Sequence, residues 1–248
     1  MSKLEEFRKA NPQYKILTLD DPSFKEYGVL YTNDFNLDDV YKVMEKVPIP
    51  ETGMKYIANI PELADTYTML AVKRDIFGEI PIDAGVTLGH SDTFTAFEYH
   101  QCSEVNIMLD DVLMVLGKRE TLEEKHFVDP NTEARMFYMP KGTIVELYND
   151  TLHYAPIQIT KKVDLPSIKI SPSLHYAPIQ ITKKGYKVIV AVIHGTNAVL
   201  PEGVKSLNPR VVKCGKFQVV HPSRKDKIEQ GYQVGLSGDV IKTTPLDE

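Results

Sequence analysis

Apolar and polar positions alternate over short runs from residue 86 onward, whereas the first 85 residues mix helical and extended patterns. Residues 2–10 have helical composition and stop at Asn11-Pro12. Behind Asn36, the expected N-cap of a second helix, Leu37, Val40, Met44 and Val47 keep a helical stripe until Pro48 ends it. The segment TYTMLAVKRDIFGEIPIDAG (66–85) leans towards strand. Strand-prone runs then follow at 93–100, 104–109, 112–116, 134–139, 143–148, 152–159, 187–193, 210–213 and 216–220. Gly117, Pro130-Asn131, Pro140-Lys141-Gly142 and Asn149-Asp150 punctuate them. Many short strands at this spacing predict a mainly β sandwich or barrel over 86–248, with 1–85 as a helical and strand elaboration packed on it.

A repeat interrupts that pattern. The residues LHYAPIQITKK occur at 152–162 and again, unchanged, at 174–184, joined by VDLPSIKISPS. Architectural repeats drift and usually come in three or more copies. An unchanged pair instead indicates a recent tandem duplication, a deliberate insertion or a sequence error. Long insertions are tolerated best at exposed hairpin tips, and Lys-Lys-Gly-Tyr (183–186) has that character. The expectation is that the first copy occupies the barrel and residues 163–184 form an extruded segment; the opposite arrangement would put His175 where His153 is expected.

Composition narrows the function classes. With 29 Lys plus Arg against 34 Asp plus Glu, the chain has no basic stripe of the kind that binds nucleic acid. Two cysteines are too few for a disulfide framework. The start MSKLEEFRKA lacks the apolar core of a signal peptide, and no apolar run approaches the roughly 20 residues that span a bilayer. A cytoplasmic protein with no membrane and no nucleic-acid partner is expected.

Candidate chemistry lies in FTAFEYHQCSEVNIM (94–108). If extended, Phe94, Ala96, Glu98, His100, Cys102 and Glu104 share one face. Two carboxylates and an imidazole on a face that begins apolar need either solvent or a cation to offset their desolvation. They also suit Zn, Mn, Fe or Ni. In MFYMPKGTIVELYNDTLHYAPIQIT (136–160), His153 shares its strand face with Ala155, Ile157 and Ile159.

The order Glu98-x-His100-x3-Glu104, then Pro140-x-Gly142 and His153, resembles the two motifs of the cupin superfamily over roughly residues 80–240. Two departures stand out: Glu98 replaces the first His of the usual pair, and His153 lies further than usual from the Pro-x-Gly turn. The segments GHSDTFTAFEYHQCSEVNIM and FYMPKGTIVELYNDTLHYAP are similar to an uncharacterised bacterial cupin family associated with sugar-utilisation genes.

The resemblance implies a double-stranded β-helix, the cupin jelly-roll barrel, with N-terminal helices. It implies a divalent metal on Glu98, His100, Glu104 and His153, with His175 as alternate, and a dimer formed by strand exchange. Glu98 and Glu146 are the candidate catalytic carboxylates, Glu146 as an acceptor that orients a ligand His. His90, Lys141 and Tyr154 are the candidate substrate contacts. The expected function is metal-dependent isomerisation of a small sugar or sugar acid, with metal polarisation and carboxylate proton transfer. A non-catalytic sugar- or metal-binding cupin and a cupin lyase or hydrolase remain alternatives.

Overall fold

A computed structural model describes residues 1–32, 35–161, 185–203 and 206–247. The expected extruded segment 163–184, with His175 in it, lies outside the described residues. The chain is mainly β, and among the described residues its strands form several sheets rather than one closed barrel.

The largest sheet is antiparallel throughout. It runs in the order Gly28–Tyr31, Ile144–Leu147, Glu104–Met108, Tyr186–Ile193, Ile82–Gly89 and Met54–Ile57. A second sheet joins Ile16–Leu17, Arg135–Met139 and Val112–Lys118, the last of which also pairs with Thr151–Leu152 and Ile157–Gln158. A third places Ala96–His100 against Lys216–Val220, flanked by Val211–Lys213 and Gln233–Val234.

Alternation explains how these layers stack. In the large sheet Met108, Val145, Leu147, Tyr186 and Val188 point one way and pack on Val112, Met114, Leu116, Phe137 and Met139 of the second sheet. Val105, Ile107, Ile144, Ile189 and Val86 point the other way. There they meet Val40 and Met44 of the helix Asp38–Glu45, Leu63 of Pro61–Ala64, and Met69 and Val72 of Tyr67–Asp75. The far side of the second sheet is covered in part by Phe7 of the helix Lys3–Ala10. The first 85 residues therefore supply strands to two of the sheets as well as the helical cover.

Helix starts follow their caps. Ser2 and Glu5 form a reciprocal capping box. Asn36 contributes to the second helix by accepting the Asp38 N–H at 2.9 Å, although Leu37 occupies the cap position itself. The strand leaning of 66–85 is corrected. Thr66 caps Met69, a helix follows over Tyr67–Asp75, and the strand begins only at Ile82 after the left-handed Gly78 and Glu79. Met69 and Val72 on one buried face outweigh the β-prone Tyr67-Thr68.

The expected single strand 152–159 is broken into Thr151–Leu152 and Ile157–Gln158, with residues 153–156 turned out of the ladder. Pro156 has no N–H to continue it. One glycine fixes the sheet edge: a Cβ on Gly85 would come within 2.2 Å of the Ile57 carbonyl oxygen. Gly85→Ala is expected to push the Met54–Ile57 strand outward and to cost ~1–3 kcal/mol, measurable by denaturant melting. An unchanged midpoint would show that the edge strand gives way freely.

Candidate metal centre

Six strands and one break in the ladder contribute to a cavity of about 120 Å³. Glu98 and His100 come from Ala96–His100, Glu104 and Asn106 from Glu104–Met108, Lys216 and Gln218 from Lys216–Val220, and His153 to Pro156 from the break. Tyr56, Thr87 and Asn197 complete its polar lining, with Val188 and Val190 as apolar wall.

Glu98 and His153 are tied through their backbones. The Glu98 N–H donates to the His153 carbonyl at 2.6 Å, and the His153 N–H donates back at 2.9 Å. The two segments therefore hold each other in register without using the side chains.

Those side chains gather tightly. Glu98, His100 and His153 present ligand atoms all within 4.8 Å of one another, a spacing that can hold a metal ion. Glu104 sits beside both rings, with one oxygen 3.1 Å from His100 Nε2 and the other 3.5 Å from His153 Nε2. Glu98 Oε1 lies 3.9 Å from His100 Nε2. Asn106 Nδ2 donates to Glu104 Oε1 at 3.0 Å, which orients that carboxylate.

His153 Nδ1 lies 2.9 Å from the Thr151 carbonyl oxygen, so Nδ1 carries the proton and the Nε2 lone pair faces the cavity. His153 Nε2 and both ring nitrogens of His100 are buried without an aligned hydrogen-bond partner. Buried polar atoms are normally paired. Two buried Nε2 atoms set against carboxylates without an aligned hydrogen bond make a donor set that fits a first-row divalent ion.

The same contacts set the charges of these groups. Burial works against ionising Glu104, but the adjacent His153 and His100 outweigh it and hold the carboxyl well below its usual range. Burial likewise opposes charge on His153, yet the carboxylates of Glu104 and Glu98 raise its affinity for a proton. Lys216 Nζ sits 2.6 Å from Glu98 Oε2, and that pairing keeps the amine charged although burial disfavours it.

The residues read from sequence divide clearly. Glu98, His100, Glu104, His153 and Tyr154 meet at the cavity. Single-strand parity is not what unites them: the chain bends at Gln101–Ser103, so Glu104 belongs to a different sheet from Glu98 and His100, and Cys102 lies in the bend against Thr196.

Glu146 does not reach the cavity. It pairs with Val105 on the face turned to the helices and accepts a hydrogen bond from the Tyr31 hydroxyl at 2.8 Å. His90 lies outside the lining, with Nε2 3.2 Å from the Pro50 carbonyl oxygen. Lys141 stands over the Tyr41 ring and lines a different cavity. Lys216, Asn106, Tyr56 and Asn197 were not singled out. Extending the alternation of Glu104 by two residues would have found Asn106; nothing local marks the others.

Residues 16–172 and 167–241 match one protein family, described as a domain of unknown function (DUF4867). The two matched segments overlap at 167–172, inside the spacer between the copies of LHYAPIQITKK, so each copy falls in one segment. No curated protein matches the chain. Among the described residues no helix is long and apolar enough to cross a membrane.

Proposed function

The chain belongs to the DUF4867 family, and from that premise we propose that it is a metal-dependent enzyme interconverting isomers of a small sugar-like hydroxy-carbonyl compound. The observation that carries this reading is the pair of buried imidazoles whose unpartnered Nε2 atoms and flanking carboxylates open on a small polar cavity. A cupin-type jelly roll is part of the proposal, supported by the antiparallel large sheet packing on the second sheet, with the cavity lined by strands of the large and third sheets.

His100 and His153 would hold the ion together with Glu104, whose oxygens lie against both rings, and with Glu98 at the edge of the same cluster. A divalent cation supplies Lewis acidity towards a substrate carbonyl and hydroxyl. Glu98 is the proton carrier: one oxygen faces the cluster while the other is anchored by Lys216. It takes a proton from one carbon and returns it to the neighbour, while the hydroxyl proton passes to the oxygen of the former carbonyl. Tyr154, whose phenol burial keeps protonated, offers a donor at the cavity wall.

The experiment combines metal analysis with solvent-exchange NMR. The protein loaded in turn with Zn, Mn, Fe or Ni is expected to bind about one ion and to wash deuterium into the carbon next to the carbonyl of one aldose–ketose pair. Glu98→Gln should keep the metal and lower exchange by roughly 10²-fold or more. Absence of stoichiometric metal in wild type would sink the proposal. Tight sugar binding without exchange would instead assign the chain as a binding module.

A further inference from the structure

Asn197 is a buried residue in the turn after the Tyr186–Ile193 strand, with a left-handed backbone at φ 70°. Its N–H is held by the Cys214 carbonyl at 2.9 Å. One end of its amide is committed, as Nδ2 lies 3.2 Å from the Tyr56 hydroxyl. The other end, Oδ1, is buried with no partner, and the residue belongs to the cavity lining. Tyr56 reaches the same wall because it stands opposite Thr87 on the inner face of the large sheet. Burial, reinforced by the charges of Glu104 and Glu98, keeps its phenol protonated. A buried amide oxygen without a partner, on a residue that lines a cavity, is a group that a ligand can satisfy.

Charge limits what that ligand is. Among the described residues lining the cavity, Lys216 is the sole lysine or arginine, and it is already paired with Glu98 at 2.6 Å. Apart from any bound cation, a carboxylate or phosphate entering the cavity would meet the glutamates Glu98 and Glu104 and no uncommitted lysine or arginine among these residues. A hydroxyl both donates and accepts, so it satisfies the free end of the amide and suits the neighbouring phenol.

We propose that Tyr56 and Asn197 form a hydroxyl-recognition subsite, and that the substrate is a neutral polyhydroxy compound rather than a sugar acid or sugar phosphate. This rests on the sugar-like substrate of the preceding reading but not on the metal itself.

The test is calorimetric titration of the full chain, metal-loaded and chelator-treated, with neutral pentoses and hexoses, their alditols, the matching aldonates and the sugar phosphates. At least one neutral compound is expected to bind about tenfold or more tighter than its charged counterparts. Tyr56→Phe and Asn197→Gly should each weaken it by about tenfold, the loss of one buried hydrogen bond, with metal content unchanged. Glycine suits the left-handed turn, so Asn197→Gly removes the amide without straining the backbone.

Tighter binding of an aldonate or phosphate overturns the inference. So does undiminished neutral-sugar binding in both variants, or no binding by any compound. If wild type holds no metal yet its neutral-sugar binding still depends on Asn197, the catalytic reading fails and the subsite stands.

Discussion

Replacing His153 with alanine is expected to weaken divalent-metal binding by more than about 100-fold, whereas the same change at His175 leaves the bound ion in place. The two histidines sit in identical eleven-residue contexts, so local sequence cannot separate them. The assignment rests on the contacts of His153. The backbone of His153 is bonded in both directions to Glu98, its Nδ1 to the Thr151 carbonyl, and its Nε2 lies 3.5 Å from Glu104. Removing a group that orients a ligand typically costs 10–100-fold in affinity, and removing a ligand costs more. Titration with a chromophoric chelator competitor reads both variants. Metal loss in the His175 variant alone would reverse the assignment. Retention in both single variants, with loss only in the double variant, would mean that the two copies exchange places.

Lys216→Met should destabilise the metal-free protein by ~3 kcal/mol or more, because it strands a mostly buried carboxylate whose closest cation has been removed. Glu98 and Lys216 side chains are 13% and 15% exposed, so water replaces little of the lost pairing. Methionine fills most of the lysine stem's volume, which keeps the packing loss small. In metal-loaded protein the loss should shrink, since a bound cation near Glu98 supplies positive charge that the lysine no longer does. Urea melts with and without chelator measure the difference. Equal destabilisation in both forms would mean that no cation binds close to Glu98.

Much of the strand content was legible from alternation alone, because a strand buried on one face must repeat every second residue. Runs such as 104–109, 112–116 and 187–193 correspond closely to observed strands. The helix over Tyr67–Asp75 was hidden because its first turn carries β-favouring residues, and its apolar face pays off only against a sheet formed later in the chain.

The cluster of Glu98, His100, Glu104 and His153 was visible as residue types. Its geometry was not, since the corner at Gln101–Ser103 hands Glu104 to another sheet. Glu146 was misplaced for a related reason: alternation says that faces differ without saying which one meets the cavity. Lys216 and Asn197 arrive from more than forty residues further on, and only pairing of distant strands brings them in.

Gln158 to Thr160, near the end of the first copy of the repeat, and Gly185 with Tyr186, just after the second, line one and the same cavity. Chain that leaves and re-enters at neighbouring points asks little of the scaffold between. This junction is thus a natural graft point: a reporter peptide or small foreign domain spliced there should travel with the protein while the imidazole cluster, in a different cavity, stays assembled. The same proximity means that new chain ends opened at this spot would lie side by side, the condition for rearranging the order of the polypeptide without redrawing its sheets.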